Sequence, residues 1–365
     1  MLITVFVILI LVIAIYLFMQ QPMFGRKPAG TRLQQIQQAV NYKDGAFQNQ
    51  RFTPSFTDGA SFSKVFYSFF FSKKERNKPS VALPSVKTDL KQLSKEENVL
   101  IWMGHSSYFI QVDGKKILVD PVLSGHASPF SFTTNSFPGS DIYTTDDIPE
   151  TDFLFISHDH WDHLDYKTIS KLRPKIKHII TGLGTAAHLE RWGFSKSMIT
   201  EKNWYENAEI APGFTVTVLP GRHFSGRTFT RNKAVWVSFA LQTPSQKIYL
   251  GGDSGYDTHF KEIGQQYGPF DLAILECGQY NQYWKHIHMM PEETVDAAID
   301  LGAKKLLPVH WGKFALSLHS WDEPINRVTA AAGAAFLPVA TPMIGQKMNL
   351  ADRHQQFPRW WNGIN

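Results

Sequence analysis

Residues 157–165 read SHDHWDHLD, three histidines and three aspartates in nine residues, directly after the apolar run DFLFI. A strand-like run that ends in such a cluster delivers His158, His160, Asp162 and His163 to one place at a chain turn. Imidazole and carboxylate at that density are metal-ligand types. Cys277 is the only cysteine, so the chain can form no internal disulfide and no thiolate zinc site. Any metal has to be held by His, Asp or Glu. Cys277 itself lies in DLAILECG and reads as a small apolar core residue.

Three more apolar runs end on donors of the same kind. FTVTVLPGR leads to His223, KIYLGG to Asp253, and KKLLPV to His310. Strands packed in one or two sheets would bring these exits to one rim. The donors are then His158, His160, Asp162, His163, His223, Asp253 and His310. Seven such groups exceed what one ion accepts with room left for a substrate. They suit two ions, one held by three histidines and the other by a mixed set, with a carboxylate bridging. Zinc fits this donor chemistry, as do iron and manganese. Two ions about 3.5–4 Å apart can stabilise the attacking and leaving oxygens of a displacement.

The surroundings are those of a globular domain. With 365 residues, 43% hydrophobic and 19% charged, the chain can bury a sizeable core. A net charge of +5, scattered along the sequence, does not point to nucleic acid. From Val99 short strand patterns follow one another: VLIWMG, SYFIQV and KKILVD, the last two joined by Asp113-Gly114, a hairpin signal. Helical stretches GTAAHLERWG, THFKEIGQQYG and PEETVDAAIDLGA lie between later strands. Hairpins followed by mixed strands and helices predict an α+β layered domain over 99–350.

The N-terminal part differs. Leu2–Phe18 is a run of seventeen residues without a charge, at the lower limit for a membrane span. No basic segment precedes it and no small-residue cleavage site follows, so it reads as an uncleaved anchor over 1–20. Arg26, Lys27 and Arg32 come just after it, which places the body in the cytoplasm by the positive-inside rule. Residues 21–98 read as a polar juxtamembrane connector. Within it Phe62, Val65, Phe66, Phe69 and Phe70 form a helical stripe, followed by Lys73, Lys74, Arg76 and Lys78. Such a helix either lies in a lipid interface or packs on the main domain, and periodicity does not choose between them.

His158-x-His160-x-Asp162-His163, with His223, Asp253 and His310 following in order, resembles the ligand pattern of the metallo-β-lactamase superfamily. Within it the chain is similar to the N-acyl-phosphatidylethanolamine phospholipase D family and its bacterial relatives. The phrases that carry this are MGHSSYFIQVDGKKILVDP, GGDSGY, FKEIGQQYGPFDLAILECGQY, HMMPEETV and PVHWGKFAL. The resemblance implies a four-layered αββα sandwich. It implies two Zn2+, the first on His158, His160 and His223 and the second on Asp162, His163 and His310, with Asp253 bridging. Asp162, Asp253 and His288 are the implied catalytic residues, His288 rather than His286 meeting the substrate.

His105 and Asp120 read as hydrogen-bonding supports of the site, and Trp161 as a packing residue. His126, His178, His188, His259 and His319 have no motif behind them. The expected activity is a phosphodiesterase on phospholipid-type substrates. A lactone, amide or thioester hydrolase would use the same site. A di-iron redox protein is disfavoured because such relatives replace the second motif histidine with a carboxylate, and His160 is intact. An inactive scaffold would have lost ligands. Nuclease members carry an extra clasping domain, for which no insertion is visible.

Overall fold

The computed structural model describes residues 2–365 apart from Asp58, 72–74 and Arg353, and the backbone alone of Phe69 and Phe70. Lys73 and Lys74 of the basic cluster therefore lie outside the described residues, as do the side chains of Phe69 and Phe70.

A small hairpin, β1 (Tyr42–Lys43) and β2 (Ala46–Phe47), precedes the main strands. These are β3 (Val99–Trp102), β4 (Tyr108–Val112), β5 (Lys115–Val119), β6 (Thr151–Ile156), β7 (Ile176–Gly182) and β8 (Ile199–Lys202). They continue as β9 (Asn207–Ala211), β10 (Phe214–Leu219), β11 (Ser238–Gln242), β12 (Lys247–Leu250), β13 (Leu272–Glu276), β14 (Leu306–Val309) and β15 (Lys347–Asn349). One sheet runs β15-β3-β4-β5-β6-β7-β8, antiparallel up to β5 and parallel beyond it. The other runs β9-β10-β11-β12-β13-β14, with β12, β13 and β14 parallel. The β4–β5 turn is Asp113-Gly114, with φ of 48° and 73°, the left-handed pair that a two-residue hairpin requires.

Alternation along the first sheet explains the layers. Leu100, Trp102, Ile110, Ile117, Phe153 and Phe155 point to the second sheet, where Phe155 meets Phe239 at 5.0 Å and Phe153 meets Phe214 at 6.3 Å. Their neighbours Ile101, Phe109, Leu118, Leu154 and Ile156 point the other way. They pack on α4 (Tyr166–Leu172) and α5 (Ala186–Arg191) through Ile169, Leu172 and Leu189. The second sheet is covered by α6 (His259–Tyr267), α7 (Pro291–Asp300) and α8 (Glu323–Ala334), which add Phe260, Val295 and Val328 to the core. Each such side chain contributes roughly 1.5–3 kcal/mol on burial. The result is the expected αββα sandwich.

Three features depart from the sequence expectation. β7, β8, β9 and β15 had not been anticipated, because IKHIITG breaks its apolar run with Lys177 and His178 and the others are short and polar. Residues 21–98 have no sheet core of their own, yet they are laid on the sandwich: Ile36, Phe47 and Leu83 join its central core, and Leu90 and Leu93 its outer one. The aromatic stripe forms a helix, α3 (Phe62–Phe71), after α1 (Leu2–Met19) and α2 (Gly30–Gln38). Val65 of α3 is half-buried while Phe62, Tyr67 and Phe71 are exposed. α1 is long and apolar enough to cross a membrane, and its side chains from Leu2 to Leu17 are exposed.

Candidate metal centre

The four strand exits converge. β6 ends at Ser157-His158, β10 leads through Pro220–Arg222 to His223, β12 through Gly251-Gly252 to Asp253, and β14 directly to His310. Gly252 is a necessity of this approach, since a Cβ there would fall 2.6 Å from the Val237 carbonyl and 2.8 Å from the Ser157 Cβ. His310, His105 and Asp120 take φ of 69°, 53° and 40°, left-handed conformations of the kind stored at functional sites.

All seven residues singled out from the sequence are brought together. Potential ligand atoms of His158, His160, His223 and Asp253 lie within 4.8 Å of one another. The same holds for His105, Asp162, His163 and His310, and for Asp253, Glu276, His288 and His310. Asp253 faces both of the first two groups. Its Oδ2 is 3.8 Å from His158 Nε2 and from His223 Nε2, while its Oδ1 is 3.1 Å from His163 Nε2 and 3.3 Å from His310 Nδ1. One carboxylate thus has an oxygen for each cluster.

The rings are aimed from behind. His163 Nδ1 donates to Asp120 Oδ2 at 2.8 Å, and Asp120 Oδ1 accepts the Ser157 amide. His223 Nδ1 donates to the Ile287 carbonyl at 2.7 Å, and His310 Nδ1 meets Ser106 Oγ at 2.9 Å. His105 Nε2 holds Asp162 Oδ2 at 2.9 Å. The partners of His163, His223 and His310 fix tautomer and direction, leaving each Nε2 for a cation. Burial holds His158, His223 and His310 well below the usual imidazole range, so they are neutral donors. His163 goes the other way: burial opposes its proton, but Asp253, Asp162 and Asp120 outweigh burial.

These residues fit a pair of divalent cations. His158 Nε2 and His223 Nε2 both crowd onto His160 Nδ1, at 2.9 and 3.2 Å, and among the described residues the buried His310 Nε2 makes no hydrogen bond. Imidazole nitrogens crowded together or orphaned in a buried, carboxylate-rich site are costly unless a cation meets them.

Several participants were not legible beforehand. Asn49, from the stretch read as a connector, donates to the His223 carbonyl at 2.8 Å and accepts its amide at 3.1 Å. Glu276, at the end of β13, lies 2.8 Å from His288 Nδ1 and accepts the Ser254 amide. Burial works against a proton on His288, yet the facing Glu276 carboxylate raises its pKa. Asp159, between two donors, accepts the Gly226 amide and meets His188 Nε2 at 3.2 Å, so His188 is not a background histidine. Trp161 packs edge-on against Phe24 and under the Arg227 guanidinium. Asn49→Ala is expected to weaken metal affinity about 10–100-fold, the usual effect of losing a partner behind a ligand. A competition titration with a coloured chelator measures this; unchanged affinity would mean His223 keeps its place without Asn49.

The donors floor a cavity of about 630 Å³. His160, Asp162, Asp253 and His288 are at its base, and Phe56, Phe62, Val65, Phe224, Trp284 and Leu316 give it an apolar wall. Arg231 supplies a cation and Asn49, Asn232 and Gln279 polar contacts. An apolar wall over a charged floor accepts an amphiphile with its polar group inward.

Comparison with known proteins agrees with this architecture. The chain is 36% identical over 329 residues to an uncharacterised protein of Mycobacterium tuberculosis, covering 89% of this chain and 88% of that one. It is 34% identical over 226 residues to the N-acyl-phosphatidylethanolamine-hydrolyzing phospholipase D 1 of Caenorhabditis elegans, covering 58% of this chain and 63% of the relative. Among solved structures, the metallo hydrolase Igni18 of Ignicoccus hospitalis superposes with a TM-score of 0.55 at 22% identity, over 69% of this chain and 97% of that one. The family model of the β-lactamase superfamily domain matches residues 115–311, more than half of the chain, a span that holds all seven donors from His158 to His310. With that match over the converging strands, the protein belongs to the metallo-β-lactamase superfamily and is a metal-dependent hydrolase.

Proposed function

We propose that the protein is a membrane-anchored phosphodiesterase that hydrolyses phospholipid-type substrates in the manner of a phospholipase D. The observation that carries this reading is Asp253, with one oxygen toward each donor cluster at the base of an apolar-walled cavity. In this reading His158, His160 and His223 hold one zinc ion, Asp162, His163 and His310 the other, and Asp253 both. Iron or manganese would suit the same donors. Bound there, the cation pair supplies activation of water and charge stabilisation for a phosphoryl group. The chain supplies the rest. Arg231 and His288 line the cavity where a phosphate would sit, and Glu276 holds the His288 ring through Nδ1, which leaves Nε2 outside that bond. The walls around Phe62 and Phe224 exclude water and take acyl chain. Similarity to the Caenorhabditis elegans phospholipase supports an N-acylated phospholipid as the first substrate to try. In this reading α1 is the anchor and residues 99–350 carry the chemistry, and the exposed Arg26 and Lys27 just beyond α1 support a body on the cytoplasmic side.

The test is turnover by purified, detergent-solubilised protein on N-acyl-phosphatidylethanolamine, bis-p-nitrophenyl phosphate and a lactone panel, each with and without chelator. Both phosphodiesters should be cleaved, and chelator should abolish cleavage until zinc is returned. Cleavage of lactones alone would replace the phosphodiesterase reading with acyl transfer to water at the same site.

A further inference from the structure

Residues 224–233 form a loop between two hollows. On one side is the catalytic cavity, to which Phe224, Arg231 and Asn232 contribute. On the other is a smaller hollow of about 280 Å³, bounded by Thr228–Thr230 of the loop and by Met19, Gln20 and Phe24 at the foot of α1. The helix foot and the catalytic mouth are therefore separated by the width of one loop. Phe229, in that loop, is 92% exposed.

The foot is fastened to the body and so has a fixed place on it. The Phe18 ring stacks on Phe130 at 5.2 Å and meets Phe24 edge-on at 5.2 Å. Phe24 in turn meets Trp161, which stands between His160 and Asp162, at 5.4 Å. Arg191 donates to the Gln20 carbonyl, Trp192 to that of Pro22 and Arg227 to that of Met23. A Cβ at Gly25 would lie 1.8 Å from His188 Nδ1, so this backbone passes directly over a side chain bonded to Asp159. These contacts fix where the helix leaves the body.

Around the foot the surface is of one kind. Phe132 is 78% exposed and packs on Phe130, the ring that stacks on Phe18. Arg26 and Lys27 are exposed just beyond the helix. Single exposed phenylalanines need no explanation, but rings flanking the exit of an apolar helix, beside cations, match what a bilayer's headgroup layer accepts.

We infer that the 128–133 and 224–233 loops dock on the bilayer that α1 crosses, with Phe132 and Phe229 entering its interface. The catalytic cavity then opens at the membrane surface and takes phospholipid that has not left the bilayer. This rests on reading α1 as a membrane anchor. Continuity with that helix is what selects lipid as the occupant.

The test uses the full chain in vesicles of phosphatidylcholine and phosphatidylglycerol. Nitroxide labels are placed by Phe229→Cys, Phe132→Cys and, as an aqueous reference, Phe336→Cys beyond α8, where the side chain is 93% exposed. The native Cys277 is buried, which directs labelling to the new thiol. Labels at 229 and 132 should relax with oxygen, which concentrates in lipid, and the label at 336 with a water-soluble nickel complex. Equal access of nickel at all three positions would overturn the docking face. Labels at 229 and 132 that are shielded from both oxygen and nickel would also overturn it, by showing that a second copy covers the loops. Phe132→Ser with Phe229→Ser should lower turnover of vesicle phospholipid about tenfold, the effect of losing about 1.4 kcal/mol of insertion, and leave bis-p-nitrophenyl phosphate turnover level. If the labels report lipid while the parent protein cleaves no phospholipid, the substrate reading fails and the docking face stands.

Discussion

Asp253→Ala is expected to take the bound metal from about two ions per chain to well below one, and turnover down by about 10²–10³ or more. The reason is geometric. Asp253 Oδ2 faces His158 and His223 while Oδ1 faces His163 and His310, so one truncation removes an oxygen from each donor group. It also removes the negative charge that offsets two cations in a buried site. His160→Ala takes one nitrogen from one group only, and His160 is not a donor of the second group. That variant should keep the second ion. Elemental analysis of gel-filtered protein, with circular dichroism as a check of folding, separates the two. A folded Asp253→Ala protein that retains both ions would exclude a bridging role, and parent protein that holds at most one ion would exclude the dinuclear reading.

What was legible in the sequence follows from the same physics. Donor residues have few substitutes, so SHDHWDHLD and the strand-end His223, Asp253 and His310 stand out against apolar runs. The turn at Asp113-Gly114 was legible because only residues at ease with positive φ make it. Asn49 was not, because an asparagine in a polar stretch has many ordinary uses and its partner His223 lies 174 positions away. Glu276 was hidden inside LAILE, where it reads as a strand residue, although a carboxylate in an apolar run is the kind of exception that marks a site. The 21–98 stretch looked like a tether because its core residues, Ile36, Phe47 and Leu83, are too far apart to show a period. For α3 the pattern gave the helix but not its setting. Phe62 and Val65 help line the catalytic cavity, while Tyr67 and Phe71 are exposed. α3 therefore serves the catalytic cavity with some of its side chains and keeps others exposed.

Arg227→Met is expected to destabilise the protein by about 3–5 kcal/mol, the scale set by several carbonyls that lose a charged donor at once. Arg227 is buried, and burial brings its pKa down to about 10, which still leaves it charged at neutral pH. Its Nε donates to the Met23 carbonyl at 3.0 Å, and its Nη1 to the carbonyls of Asp159 and Leu164 at 2.9 and 2.6 Å. The guanidinium also lies over the Trp161 ring, 4.0 Å from its centre. One side chain therefore closes both ends of the donor-bearing turn and ties them to the foot of α1. Methionine keeps most of the volume but leaves the buried carbonyls of Asp159 and Leu164, and the part-buried one of Met23, without this donor, each buried one costing about 1–3 kcal/mol if nothing replaces it. Arg227→Lys keeps the charge but not the planar fork, so it should fall between the parent and the methionine variant. Denaturant unfolding followed by tryptophan fluorescence gives the order, and a chelator titration on the same samples should show metal released more readily in that order too. A methionine variant within about 0.5 kcal/mol of the parent, the range of an inert surface change, would mean that the turn holds its shape without the arginine.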